Sequence, residues 1–293
     1  MILLIISAIM WGISFISIKI AMTVFPPMSL AFYRFLLASM ILYPIMKRFD
    51  KKEPLRKKDI PLVALAGILG ITVYFFFENN GLLRISANDA SIIIAMLPVG
   101  AAIGERVFLK KKLKLISLIA IIASVIGIYM VIGGQLRGGN PSGYWYMFGA
   151  IVSYSIYLIM TKPLFDRYSD ITVAFYQSLF GCIAFIPFLF FETVRWDLLD
   201  TTITMNFFFL AILCSAVASY FYMYALNHLG VSIAAVFMNL IPVVTFIASF
   251  IIFGDTMTLF QIIGAVIVIG AVTVVTRQHE TFVVIPENQL PDS

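Results

Sequence analysis

In this chain of 293 residues, few side chains can do chemistry, and most of those lie in apolar stretches. Lys19, Arg34 and Glu78 stand near the ends of three successive apolar segments, and Glu105-Arg106 falls inside a fourth. A charge at mid-membrane costs about +2.5 to +3.5 kcal/mol on insertion scales, so each group needs a partner or water. Two roles fit: a charged gate or carboxylate-binding site, or a structural ion network whose long side chains reach the interface. Glu78 follows Tyr74 by one helical turn, so the two share a face. Lys19 and Arg34 are its expected partners. Glu78 and Glu105 are the candidate coupling carboxylates, Glu105 needing a cation or a proton. Arg106 is expected to snorkel.

Neutral hydrogen-bonding groups accompany them at Asn79, Asn88, Ser91, Gln177 and Asn239. Among the dense aromatics, Trp11, Tyr74, Tyr154, Tyr157, Tyr176, Tyr220 and Tyr224 are candidates to line a pathway for solutes. Packing between helices is the plainer explanation for any one of these. Pro98 and Pro242 sit mid-segment, where proline removes a helical hydrogen bond; they read as hinges or as static kinks. No nucleophile–base constellation is present, so no catalytic residue is assigned. His228 and His279 are isolated, and no metal site is expected. No Gly-x4-Gly-Lys-Ser/Thr loop occurs, so neither ATP nor any other cofactor is expected. Cys182 and Cys214 have neither metal nor disulfide spacing and read as small core residues.

The elements that must hold these residues follow from composition. Apolar residues make up 61% of the chain and charged residues 12%, against about 25% charged in soluble chains. The surrounding solvent must be lipid. The excess of 20 Lys+Arg over 15 Asp+Glu sits in loops, which suits anionic lipid and excludes a nucleic-acid partner. Ten apolar segments lie near 2–24, 28–46, 60–80, 87–109, 113–133, 143–161, 171–191, 204–226, 231–253 and 258–276. Each is long enough to cross about 30 Å of hydrocarbon. They lack the alternation of barrel strands, so they are predicted to be helices. The first reads as a span rather than a cleaved leader.

Ala31-Phe32-Tyr33-Arg34 returns as Ala174-Phe175-Tyr176-Gln177, and Met96-Leu97-Pro98-Val99 as Leu240-Ile241-Pro242-Val243. Two halves, 1–134 and 143–277, are therefore expected, followed by a tail over 278–293. Five spans is an odd number, so the halves must be inverted. Lys111 and Asp255 each lie 13 residues beyond their half's proline, with opposite charge on opposite faces. Lysine and arginine crowd the 47–59 and 110–114 loops, while Arg84, Arg137 and Arg195 alone fall on the other side. The positive-inside rule then puts both termini in the cytoplasm. Gly100 and Gly104 form a GxxxG that reads as packing within the chain, and so as a monomer rather than a dimer.

Met10-Trp11-Gly12-Ile13-Ser14-Phe15 with Lys19, Arg34-Phe35, Glu78-Asn79 and Ser86-Ala87-Asn88-Asp89-Ala90-Ser91, with Leu97-Pro98 and Ile241-Pro242, resemble the ten-helix EamA group of the drug/metabolite transporter superfamily. The likeness covers roughly residues 2–276. It departs at Lys111 and Asp255, where the family commonly has Glu, and at the charged Glu105-Arg106. The resemblance implies an all-α membrane protein of two inverted five-helix bundles around a central cavity. Spans one to four and six to nine would line it, with spans five and ten more peripheral. It implies a secondary transporter or exporter of small organic metabolites such as amino acids, working by alternating access in the cell membrane. Transport of cationic or amine-type solutes or drugs is the alternative. A membrane-embedded enzyme or a non-transporting scaffold is the reading from another class.

Overall fold

A computed structural model describes residues 1–50, 55–108, 115–133, 140–229, 237–238 and 240–280. Among these the secondary structure is helical, with no strand. The helices are α1 (Ile2–Ala21), α2 (Pro27–Phe49), α3 (Lys57–Leu82), α4 (Ala87–Ile94 continued by Leu97–Phe108) and α5 (Leu115–Gly133). They are followed by α6 (Ser142–Thr161), α7 (Asp170–Leu189), α8 (Thr201–His228), α9 (Leu240–Phe253) and α10 (Leu259–Glu280). Seven helices, α1–α4 and α6–α8, are long and apolar enough to cross a bilayer; α5, α9 and α10 carry shorter apolar runs. The protein is an all-α membrane protein.

Local signals set the helix ends. Proline opens α2 at Pro27, where its missing N–H costs nothing. Ser86, Ser169 and Asp200 cap α4, α7 and α8 by accepting from Asp89, Thr172 and Ile203 N–H. Beyond α9 the backbone turns at Gly254 with φ of 69°, which glycine adopts without strain.

The packing repeats with the halves exchanged. Helix α1 lies against α8 and α9, and α6 lies against α3 and α4. Helix α2 packs on α7 and α8, and α7 on α2 and α3. Helices α5 and α10 pack mainly on each other; a Cβ on Gly127 would meet Gly264 O at 2.8 Å. Their outer faces, including Leu115, Ile119, Ile122, Leu259 and Val266, are exposed. Exposed apolar residues of this kind match a chain whose solvent is hydrocarbon.

The corresponding third helices share a feature that hydropathy does not show. Both widen into a π-helical stretch, Ile68–Val73 in α3 and Phe209–Ala218 in α8. Carbonyls of these stretches are met from the opposite half. Ser153 Oγ of α6 donates to Leu69 O at 2.6 Å, and Trp11 Nε1 of α1 donates to Cys214 O at 3.2 Å. The Gly100 and Gly104 positions of α4 face Ser155, Ile151 and Ile159 of α6, so this GxxxG serves contact inside the chain.

Candidate functional site

The two wide turns border a cavity between the halves. Helices α1, α2, α3 and α4 supply Trp11, Arg34, Tyr74, Glu78, Ile94 and Leu97; α6, α7, α8 and α9 supply Tyr154, Tyr157, Gln177, Tyr222 and Ile241. Among the described residues, α5 and α10 supply none of the lining.

The repeated tetrapeptides meet here. Arg34 and Gln177 occupy equivalent places in α2 and α7, and both side chains face the cavity. Gln177 is satisfied: Tyr157 OH donates to its Oε1 at 3.1 Å, and its Nε2 donates to Thr161 Oγ1 at 2.9 Å. Arg34 is only 2% exposed. Its Nε donates to Ser215 Oγ at 3.2 Å, its guanidinium carbon lies 4.9 Å from the Phe75 ring centre, and its Nη1 is buried without a hydrogen-bond partner. Glu78, 4% exposed, accepts from Tyr74 OH at 2.7 Å. Arg34 and Glu78 thus share the cavity without a direct ion pair between them among the described contacts.

Aromatic rings form the rest of the wall. Tyr154 is 5.0 Å from Tyr74 and 4.9 Å from Tyr157 between ring centres, and Trp11 is 5.2 Å from Tyr222. Helix α4 is interrupted between Ile94 and Leu97, both cavity residues, shortly before Pro98. Ile241, next to Pro242, faces the same space.

Other expected site residues fall elsewhere. Lys19 does not join Arg34 and Glu78. The charges acting on it are those of Asp255 and Asp89, at a corner where Tyr144 OH donates to Asp89 Oδ2 at 3.3 Å and Ser249 Oγ to Asp255 Oδ2 at 2.5 Å. One turn fixes which face of a helix a residue takes, but not which helix lies opposite, and α4 and the α9–α10 corner are what lie opposite Lys19. Asn79 points away from the cavity and donates to Pro27 O at 2.8 Å. Asn88 and Ser91 are buried in α4, with Ser91 Oγ donating to Asn88 O. Tyr176 packs beside Phe175 and Phe180. Tyr220 and Tyr224 line a second cleft with Asp50, Asp170 and His228. Asn239 and Lys111 lie outside the described residues, as does the side chain of Glu105.

Comparison with known proteins follows the same lines. The EamA-like transporter family matches residues 1–133 and 141–277. The chain belongs to this family. An uncharacterized transporter of Archaeoglobus fulgidus is 28% identical over 92% of this chain and 95% of its own length. A probable terminal-alkyne amino-acid exporter of Streptantibioticus cattleyicolor is 25% identical over 94% of this chain and 92% of its own. A solved crystal structure with 14% identity superposes with a TM-score of 0.69, covering 96% of this chain and 98% of that one, which speaks for the fold. Within this EamA chain, Cys214, Ser215, Ser219 and Tyr222 all stand in the cavity wall but are not among the expected pathway residues. Ser215, Ser219 and Tyr222 recur at helical spacing in a mostly apolar helix, a small polar stripe that could have marked the inner face of α8.

Proposed function

We propose that this EamA-family transporter is a secondary carrier that exports small organic metabolites such as amino acids across the cytoplasmic membrane by alternating access. The observation that carries this is the cavity between the halves, where Arg34 and Glu78 are buried beside rings and π-helical turns. Buried opposite charges that leave a gap between them suit a polar solute. Both halves contribute, so rocking one against the other would expose the same groups to either side. The name of the Streptantibioticus relative favours amino acids as the class. Loop lysines and arginines favour cytoplasmic termini, and use of the GxxxG inside the chain favours a monomer.

Labelled-solute flux in proteoliposomes of the purified chain tests the proposal. Saturable uptake of an amino acid, with counterflow when the lumen is preloaded, is the expected result. No flux of any organic solute by folded protein would reject it. A second reading, transport of amine-type cations, draws on Glu78 among Tyr74, Tyr154 and Tyr157. It is distinguished in the same assay by preferential uptake of amines lacking a carboxylate.

A further inference from the structure

The guanidinium of Arg34 and the carboxylate of Glu78 are two poles of one cavity. Each is held by the protein on one side, and each lines the cavity. Arg34 gives Nε to Ser215 and rests against Phe75, leaving Nη1 buried and unpaired. Glu78 takes one hydrogen bond, from Tyr74 to Oε1. A buried guanidinium N–H without an acceptor costs free energy that a bound anion removes. A carboxylate fits best, because it meets the planar fork of the guanidinium. An ammonium group does the same for Glu78, with the neighbouring tyrosine faces adding to its binding.

A solute bearing one charge would compensate one pole and leave the other. A zwitterion compensates both and enters with no net charge, which is the cheapest arrangement at membrane depth. The remaining wall includes the apolar Phe15, Phe35, Leu97, Met223 and Met238 beside serines and tyrosines. We infer that the cavity takes a zwitterionic α-amino acid with an apolar side chain, its carboxylate on Arg34 Nη1 and its ammonium on Glu78. This rests on the transport reading above and adds to it the pole that each end of the solute meets.

Binding of labelled phenylalanine, phenethylamine and 3-phenylpropionate to the purified full chain tests it. The last two keep the ring and lose one pole each. Phenylalanine should bind about ten- to a hundredfold tighter than either, the scale of one charge-assisted hydrogen bond. Arg34→Gln should bring phenylalanine down to the level of phenethylamine and leave phenethylamine within about twofold. Glu78→Gln should bring phenylalanine down to the level of 3-phenylpropionate. The inference is overturned if a single-pole analogue binds wild-type protein as tightly as phenylalanine, if none of the three binds, or if each variant weakens all three equally. The wild-type comparison needs no variant to fold. Pole-dependent binding without flux in proteoliposomes would remove the transport reading alone. Flux of another solute without phenylalanine binding would remove this inference alone.

Discussion

Asp50 and Glu192 hold opposite ends of one helix pair. Asp50, just past α2, accepts from Ser169 Oγ at 2.5 Å and from Thr172 Oγ1, at the start of α7. Glu192, just past α7, accepts from Met28 N at 3.1 Å, Ser29 N at 2.6 Å and Ser29 Oγ at 2.8 Å, at the start of α2. Helices α2 and α7 are therefore antiparallel, each N-terminus held by a carboxylate that follows the other helix. This exchange of roles supports the inverted-repeat reading. Pro26 has no side-chain acceptor to cap α2, so Glu192 supplies it from the other half.

Glu192→Ala should therefore loosen the α2 start. The loss of an N-terminal acceptor is typically about 1 kcal/mol and reaches about 2. That corresponds to a fall of several degrees in the melting temperature of purified protein in detergent, at about 2–4 °C per kcal/mol. Thr193→Ala, one residue on, is the control. An unchanged melting temperature for Glu192→Ala would show that water caps α2 equally well.

Gly12 belongs to the Trp11-Gly12 pair, and its role is close packing between halves. A Cβ there would lie 2.6 Å from Val244 Cβ and 3.1 Å from Ile241 O, and Thr245 Oγ1 donates to Gly12 O at 2.8 Å. Gly12→Ala should cost about 1–3 kcal/mol by overpacking, and Gly12→Val should cost more. Gly270→Ala meets nothing within 4 Å and should leave stability unchanged or slightly raised. Melting curves of the three variants check this; equal curves for Gly12→Ala and Gly270→Ala would mean α1 and α9 separate readily.

Much of this was legible in the sequence, and what was not has a physical cause. Apolar length identifies the helices because hydrocarbon demands it, and the tetrapeptide repeat paired Arg34 with Gln177 as equivalent positions of the two halves. The π-helical turns left no mark, since they arise from packing between halves and not from local propensity. Tyr220 and Tyr224 were chosen where Tyr222 lines the cavity. Residues four apart share a face, and that face of α8 looks to the second cleft; Tyr222, two residues from each, looks the other way. Lys19 is charged like Arg34, and nothing in its spacing reveals that Asp89 and Asp255 are the charges acting on it.

Helix α4 is interrupted at Ala95-Met96, two residues before Pro98 and between the cavity residues Ile94 and Leu97. If the break works as a hinge, Pro98→Ala should restore a helical hydrogen bond, keep or raise thermal stability and slow transport. Flux per folded molecule in proteoliposomes measures this. A rate equal to wild type would leave the break as a static kink. Pro242→Ala should behave alike, since Ile241 faces the same cavity.

Lys19 of the first half lies in the field of Asp255, near the α9–α10 corner, and of Asp89, without a direct ion pair to either among the described contacts. Removing the cation with Lys19→Met leaves Asp255 and Asp89 facing each other, and like charges repel. We expect a lower melting temperature for Lys19→Met and for a charge reversal, Lys19→Asp. Adding Asp255→Lys to Lys19→Asp should recover at least half of the loss, because the pair is then restored with its sign exchanged. Additive losses in the double variant would show that the two residues do not act on each other.

Two groups of loop contacts mark the two faces of the membrane. The first turn of α3 meets the α6–α7 loop: Tyr168 OH donates to Asp59 Oδ2 at 2.6 Å, and Arg167 Nη1 lies 3.1 Å from Asp59 Oδ1. The α1–α2 loop meets the loop after α7 at the other end, where Arg195 N donates to Val24 O at 3.1 Å. These two contact groups must lie on opposite faces of the membrane, because α2 and α7 run between them. The first group carries the lysine-rich 47–59 segment, so it should face the cytoplasm. Both native cysteines are buried, so an added cysteine reports its own site. A membrane-impermeant maleimide applied to intact cells should label Asp197→Cys and leave Lys58→Cys unlabelled until the cells are permeabilised. Labelling of Lys58→Cys in intact cells, with Asp197→Cys protected, would invert the molecule in the membrane. The contacts that tie each pair of loops would stand, and the charge bias would no longer explain them.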